Sequence, residues 1–185
     1  MDPVSGIYFR REDYASFWLR LLIDLIDGVT VLVFCGAAFL VLCLFLPGKL
    51  VLLVCAGILF CYFVLLKRSS GGTLGYRVAG VRIVGLDGRS AGLFPLTLRL
   101  MFMVLGPVNY LLDLAWLASD ARRQTLRDKF ARTYVVKKRA EPAGSGRLIY
   151  RYYLILGYNF LFREIEEADT LATAGAGTTR TSGRS

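Results

Sequence analysis

The sequence predicts an all-α membrane protein: a transmembrane helix hairpin, a bent or re-entrant third helical segment and a small cytoplasmic β element. Three observations carry that expectation. The 185 residues are 55% hydrophobic with a mean hydropathy of +0.51, too apolar for an ordinary soluble domain. The apolar residues are bunched into runs that can cross a hydrocarbon layer of about 30 Å. The basic residues behind the net charge of +9 lie between and after those runs, where a membrane protein keeps positive charge on its cytoplasmic side. That placement argues against nucleic acid and makes the anionic headgroups of a bilayer the natural partner.

Residues 1–15 read as a cytoplasmic segment. Arg10-Arg11 is followed by Glu12 and Asp13, the next apolar run is too long, and no small-residue cleavage site follows, so an anchor fits better than a cleavable signal. Residues 16–140 form the membrane domain. Its first run, 16–46, would be about 46 Å long as a helix. Residues 29–46 nearly fill the hydrocarbon by themselves, which leaves Arg20 and Asp24 at headgroup depth and Asp27 at its inner edge. Pro47-Gly48 turns the chain, and residues 50–66 form a second span closed by Lys67-Arg68. Arg10, Arg11, Lys67 and Arg68 gather at one end and only Lys49 at the other. Both ends of the hairpin therefore face the cytoplasm in a multi-pass protein of the cell membrane. Cys35, Cys43, Cys55 and Cys61 lie inside the apolar runs without CxxC or metal-ligand spacing, as small hydrophobes.

Residues 69–92 change character. "SSGGTLG" is a loop, and "YRVAGVRIVGLDGRSAG" mixes β-branched residues with charges and turns at Asp87-Gly88. Residues 81–84 are the best strand, 133–136 a second, and the two can pair. Between them lie residues 93–119. One straight span would carry the basic segment 122–139 to the opposite side, against the charge rule. Gly106-Pro107 breaks the run, and halves of about eleven residues are too short to cross, so a bent or re-entrant pair covered by the hairpin is expected. Residues 141–167 read as a linker and an aromatic amphipathic helix, at the interface or packed on the cytoplasmic part, with an apolar core at 152–162. Residues 168–185, rich in Ala, Gly, Thr and Ser, read as a disordered tail.

Chemistry is sparse. The chain has no histidine, which removes the usual general base and the commonest transition-metal ligand. It carries no GxSxG, P-loop or GxGxxG, and "GGTLG" lacks the Lys-Ser/Thr ending of a phosphate loop. The expectation is a protein that is not an enzyme and holds no cofactor or metal.

The charges inside the first helix are the exception. Arg20, Asp24 and Asp27 fall at i, i+4 and i+7 and share an arc of about 60°. Arg20 can pair with Asp24, which leaves Asp27 to find a partner, with Arg99 and Arg127 as candidates. Two readings stay open. In one, the stripe locks the helix against cytoplasmic strands. In the other, Asp27 at the base of a wet cleft carries a proton or monovalent cation, with Arg20 and Arg99 tuning it and Asp128 completing a gate. Asp113, with Asn109 one turn earlier, would satisfy backbone opened at Gly106-Pro107. Arg122, Arg123, Arg127, Lys129 and Arg132 would bind anionic headgroups. Asp128 among them reads as a salt-bridge partner or helix-start acceptor.

Three ordered pieces resemble the RDD family of bacterial and archaeal membrane proteins. "FWLRLLIDLIDG" is similar to the family's Arg with Ile-Asp seven residues later, matching Arg20 and Asp27, with Asp24 an addition. "GGTLGYRVAGVRIVGLDG" looks like its Gly-x-Thr-x-Gly segment and strand, at Gly72, Thr73 and Gly75. "RRQTLRDKFARTYVV" is similar to the closing Gln-x-x-x-Asp and Thr-x-Val-Val element, at Gln124, Asp128 and Thr133. Arg99 falls where members commonly carry an arginine, whereas Leu74 and Tyr76 stand where they often have Pro and Lys. The resemblance covers about residues 14–138 and implies a multi-helix membrane domain. Some members are described as monovalent cation/proton antiporters, and others look like regulators of other membrane proteins. Applied here, it implies an exchanger built on Asp27 or, alternatively, a non-catalytic subunit that regulates or assembles a partner. An exchanger with so few helices would need a homo-oligomer or a membrane protein partner to wall its path.

Overall fold

The structure, a computed structural model, describes residues 5–120, 122–155 and 157–166. The tail expected at 168–185 lies outside the described residues. Two long apolar helices lead the fold. Ser16 caps the first, its hydroxyl accepting from the Leu19 N–H at 3.4 Å, and α1 runs over Phe17–Leu42. At 1.5 Å per residue it is about 39 Å long, enough to cross a membrane. Pro47 precedes α2 (Gly48–Phe60), which continues through a π turn at Cys61–Leu66. The two helices lie antiparallel, with Cys35 and Cys55 each placing its thiol 3.9 Å from the other's carbonyl oxygen, while Cys43 and Cys61 are exposed. Only 11% and 17% of their most apolar stretches are buried. A helix in a soluble core would be mostly buried, so exposure, length and composition together suit a membrane.

The strand expectations at 81–84 and 133–136 hold. β2 (Val81–Gly85) pairs antiparallel with β3 (Thr133–Lys137), Val81 opposite Lys137 and Gly85 opposite Thr133. The short helix α3 (Leu74–Ala79) leads into β2 and ends at Gly80, whose φ of 63° is the left-handed conformation that glycine takes without penalty. The turn at Asp87-Gly88 closes with the Gly88 N–H on the Gly85 carbonyl at 3.0 Å. The chain entering α1 docks on this sheet, the Ala15 N–H donating to Val135 at 3.0 Å. Ile23, Val64, Tyr76, Val81, Ile83, Leu96 and Val135 form the core beneath it.

Residues 93–119 are bent. α4 (Leu93–Val104) and α5 (Pro107–Ser119) meet at Gly106, with φ 116°. The segment leaves β2 and returns through α6 (Leu126–Ala131) to β3, its sheet neighbour, so both its ends lie at the same sheet.

The C-terminal expectation is overturned. Residues 141–167 contain no helix among the described residues. β4 (Gly144–Ile155) and β5 (Tyr158–Glu166) form an antiparallel hairpin that turns at Gly157, with φ 83°. The run 152–162 is two strands separated by a glycine, and its aromatic and β-branched residues favour extended chain. Residues 5–15, the described part of the N-terminal segment, do not stand apart either. β1 (Ser5–Tyr8) pairs with β4, completing a three-stranded sheet in the order β1-β4-β5. Phe9, Tyr14, Leu86, Tyr134, Val136 and Ile165 join this sheet to the smaller one. The all-α expectation thus becomes a mostly helical fold with two antiparallel sheets.

Candidate functional site: a buried ionic hub

The charged face of α1 is where the helices and the smaller sheet meet. Arg20 and Asp27 are almost fully buried, and a charge so placed requires partners. The intrahelical Arg20–Asp24 pair does not form. Arg20 instead donates to Asp128 on α6, and Asp24 accepts from the Arg127 guanidinium at 2.7 Å. Two partners from another element pull the neighbours apart because each gains a buried contact that the exposed i,i+4 geometry cannot supply.

Asp128 is the centre of the hub. It carries the capping box that starts α6, exchanging bonds with Thr125, and it accepts from both Arg20 and Arg99. Both expected roles, salt-bridge partner and helix-start acceptor, are held at once. Burial pushes its carboxyl up, but Arg20, Arg99 and Arg127 outweigh it and hold the group well below the usual carboxylate range. Arg99 is fixed further by Thr133 Oγ1 at 2.8 Å and Tyr76 Oη at 3.4 Å. Gln124 spans the same corner, its side-chain amide donating to the Thr133 carbonyl at 3.1 Å.

Asp27 pairs with neither Arg99 nor Arg127. It accepts from Thr73 Oγ1 at 2.7 Å, the Gly75 N–H at 2.8 Å and Tyr62 Oη at 2.9 Å, with Lys67 Nζ at 3.9 Å. The Gly-x-Thr-x-Gly segment is therefore a clasp on α1. Gly72, at φ 65°, turns the loop, Thr73 supplies its hydroxyl, and Gly75 admits the close approach. A Cβ on Gly75 would meet the Ile23 carbonyl oxygen at 2.6 Å. Asp27 is 0% exposed, so it does not stand at the base of a wet cleft: the clasp covers it.

Three further expectations change. Asp113 does not serve the break at Gly106. It takes Arg127, at 2.9 Å from both its backbone N–H and its Nε, while Asn109 alone reaches back to the Phe102 carbonyl at 3.4 Å. Arg127 and Lys129 are buried, and so cannot reach headgroups: Lys129 lies 2.7 Å from Asp120 and pairs with Glu164 of the hairpin. Arg122 is half-buried and donates to the Ile165 carbonyl. α6 places Arg127 and Lys129 inward because it packs against α4, α5 and β5.

Lys67 is the residue that sequence reasoning passed over. It closes the second apolar helix, so it reads as a boundary charge. Its ammonium lies beside Asp27 and 4.8 and 4.7 Å from the centres of the Phe63 and Tyr76 rings. Burial and then Arg99 lower it, Asp24 and Asp27 only partly offset them, and it comes down to about 7. Lys67 also lines a cavity of about 520 Å³.

The sequence model of the RDD family matches residues 14–132, well over half of the chain, and the chain belongs to that family. No curated protein and no solved structure matches it. The match spans α1 to α6 and so contains Arg20, Asp24, Asp27, Arg99, Arg127 and Asp128, whereas Thr133 with the rest of β3, β1 and the hairpin β4–β5 lie beyond it. Family membership and two apolar helices of crossing length suggest a membrane protein.

Proposed function

We propose that this RDD-family protein is a non-catalytic, multi-pass subunit of the cell membrane that assembles or regulates a partner protein, with its N-terminus and sheets on the cytoplasmic side. The saturation of the hub supports this best. Asp27 has three hydrogen-bond donors and a lysine, and Asp128 has two arginines and a helix cap. A transport carboxylate has to trade its partners for a proton or cation in every cycle, and breaking a buried pair costs about 3–5 kcal/mol. The cavities at Arg99–Met103 and at Asn109–Asp113 hold about 10 Å³ each, room for one water and no path. The hairpin gives a partner something to bind. β5 is an edge strand among the described strands, and Tyr150, Tyr152 and Leu154 on β4 are exposed.

Cation/proton exchange is the second reading, and Lys67 favours it. The lysine is 3.9 Å from Asp27 and lines a cavity, and burial brings its ammonium down to about 7. Loss of its proton would leave Asp27 a net charge for a monovalent cation, which makes Lys67 the proton carrier rather than Asp27. Cation-induced pH change in proteoliposomes separates the two readings. Folded wild type should move no protons on sodium or potassium addition between about pH 6 and 9. Tyr150→Ala with Tyr152→Ala should lose a co-purifying membrane protein while staying monodisperse. Cation-dependent proton movement that vanishes in Lys67→Met would overturn the subunit in favour of the exchanger.

A further inference from the structure

We propose that the cavity at the end of the second apolar helix binds a phosphate-bearing anion, supplied by an anionic lipid headgroup or by free phosphate. It encloses about 520 Å³, within the range of ligand sites and more than a single small ion needs. Among the described residues four cations line it, Lys67, Arg68, Arg82 and Lys138, with Ser69, Ser70 and Ser90 and no carboxylate.

That imbalance sets the cavity apart. In the hub and at the hairpin, among the described residues, converging cations meet carboxylates: Arg20 and Arg99 at Asp128, Arg127 at Asp24 and Asp113, Lys129 at Asp120 and Glu164. Arg68, Arg82 and Lys138 make no ion pair among the described residues, so their charge is left for a ligand. Like charges held together repel, and an anion between them turns that repulsion into attraction.

The fold holds the four in place by independent means. Arg82 stands on β2, its guanidinium tied to the Ala140 carbonyl at 3.1 Å, and the Lys138 N–H donates to the Gly80 carbonyl at 2.8 Å, fixing the end of β3 beside it. Lys67 and Arg68 follow directly on the apolar helix that ends at Leu66, and the serine loop turns back at Gly72. A phosphate offers oxygens to all of them: point charges from the lysines, a planar fork from each arginine, and hydrogen bonds from the Ser70 and Ser90 hydroxyls, since Ser69 already donates to the Leu66 carbonyl. The membrane reading supplies only the lipid source. The charge geometry stands without it, and basic pockets at this depth suit headgroups.

The test uses the full chain in neutral detergent, titrated with phosphatidylglycerol, phosphatidylcholine or inorganic phosphate and read by native mass spectrometry and thermal shift. Arg68→Gln with Lys138→Gln removes two exposed cavity cations, and Lys137→Gln with Arg139→Gln removes equal charge from exposed neighbours outside it. The expected result is saturable phosphatidylglycerol binding, none of phosphatidylcholine, and a loss of about tenfold or more in the cavity variant alone. Binding of inorganic phosphate with the same variant dependence, and no phosphatidylglycerol binding, supports the site with free phosphate as its source. Equal losses in the two double variants would mean diffuse surface charge and overturn the proposal. So would the absence of saturable binding by either phosphate probe.

Discussion

Arg20 and Asp128, 108 residues apart in the chain, form an ion pair in which both side chains are buried. The pair fastens the start of α1 to the start of α6, and Arg99 on α4 shares the same carboxylate. Three elements thus depend on one charge. Asp128→Asn leaves two buried guanidiniums without their counter-ion and should destabilise the fold by about 3–5 kcal/mol. The folded carboxyl is held below its usual range, so its contribution is complete above the ordinary value and is lost as pH falls through the folded one. The melting difference between wild type and Asp128→Asn should therefore stay constant down to about pH 5 and shrink below about pH 4. A variant that melts with wild type at neutral pH would remove Asp128 from the centre of the hub.

Lys67 gives a dependence of the same sign in a higher pH window. Its ammonium is lowered from 10.5 to about 7 in the fold. Between those values the unfolded chain holds a proton that the folded chain has released, so stability rises with pH across that window. Asp24, Asp27, Arg99 and Arg127 all act on this group. In Lys67→Met the contribution is gone while Asp27 keeps Thr73, Gly75 and Tyr62. Wild-type melting temperature should climb relative to that of Lys67→Met from about pH 7 to pH 10. Parallel profiles would show that Lys67 stays charged throughout.

Much of this arrangement could be read from the sequence, and the limits have physical causes. Helical periodicity alone puts Arg20, Asp24 and Asp27 on one face, β-branched residues mixed with charges give β2, and a short run between basic residues gives β3. The proline at 107 announces the bend. Partners are another matter, because periodicity describes one element at a time. Arg20 and Asp24 look like a pair until α6 brings Asp128 and Arg127 to them. The hairpin was hidden for a different reason. Averaged hydropathy treats the run 152–162 as one segment, whereas Gly157 at positive φ divides it into two strands. No local signal marks the anion cavity, whose Arg68 and Lys138 meet only through the sheet.

Gly75 tests the clasp on α1. Alanine is the better helix former by up to about 1 kcal/mol, so propensity alone predicts a gain in α3. The added Cβ would instead meet the Ile23 carbonyl at 2.6 Å and Asp27 Oδ1 at 2.9 Å, and the first of these is helix backbone that cannot swing away. Gly75→Ala should destabilise by about 1–3 kcal/mol through forced separation of α3 from α1. Gly57, with open space around its Cβ position, is the control, and Gly57→Ala should match or exceed wild type. A stabilised Gly75→Ala would mean that the clasp yields freely.

Lys129 tests how the hairpin outside the family region is held. Its ammonium lies between Asp120 of the α5–α6 connection and Glu164 of β5, with the Tyr153 ring centre at 4.8 Å. Burial alone would lower this lysine, but Asp120 and Glu164 raise it, while Lys129 keeps the Glu164 carboxyl low. Lys129→Gln takes the shared lysine from Asp120 and Glu164, leaving Glu164 with the Tyr153 hydroxyl at 2.7 Å and Arg151 at 3.9 Å. Phe130 and Trp116 still pack on Phe162, so the hairpin should loosen rather than detach. Amides of β4 and β5 should exchange about tenfold faster, equivalent to about 1.4 kcal/mol of local opening, with Val135 and Val136 in β3 unchanged. Acceleration across both sheets would mean that the hub and the hairpin open together. Unchanged exchange in β5 would mean that the aromatic packing alone holds it, and the buried lysine would then need a different explanation from the one its two acids provide.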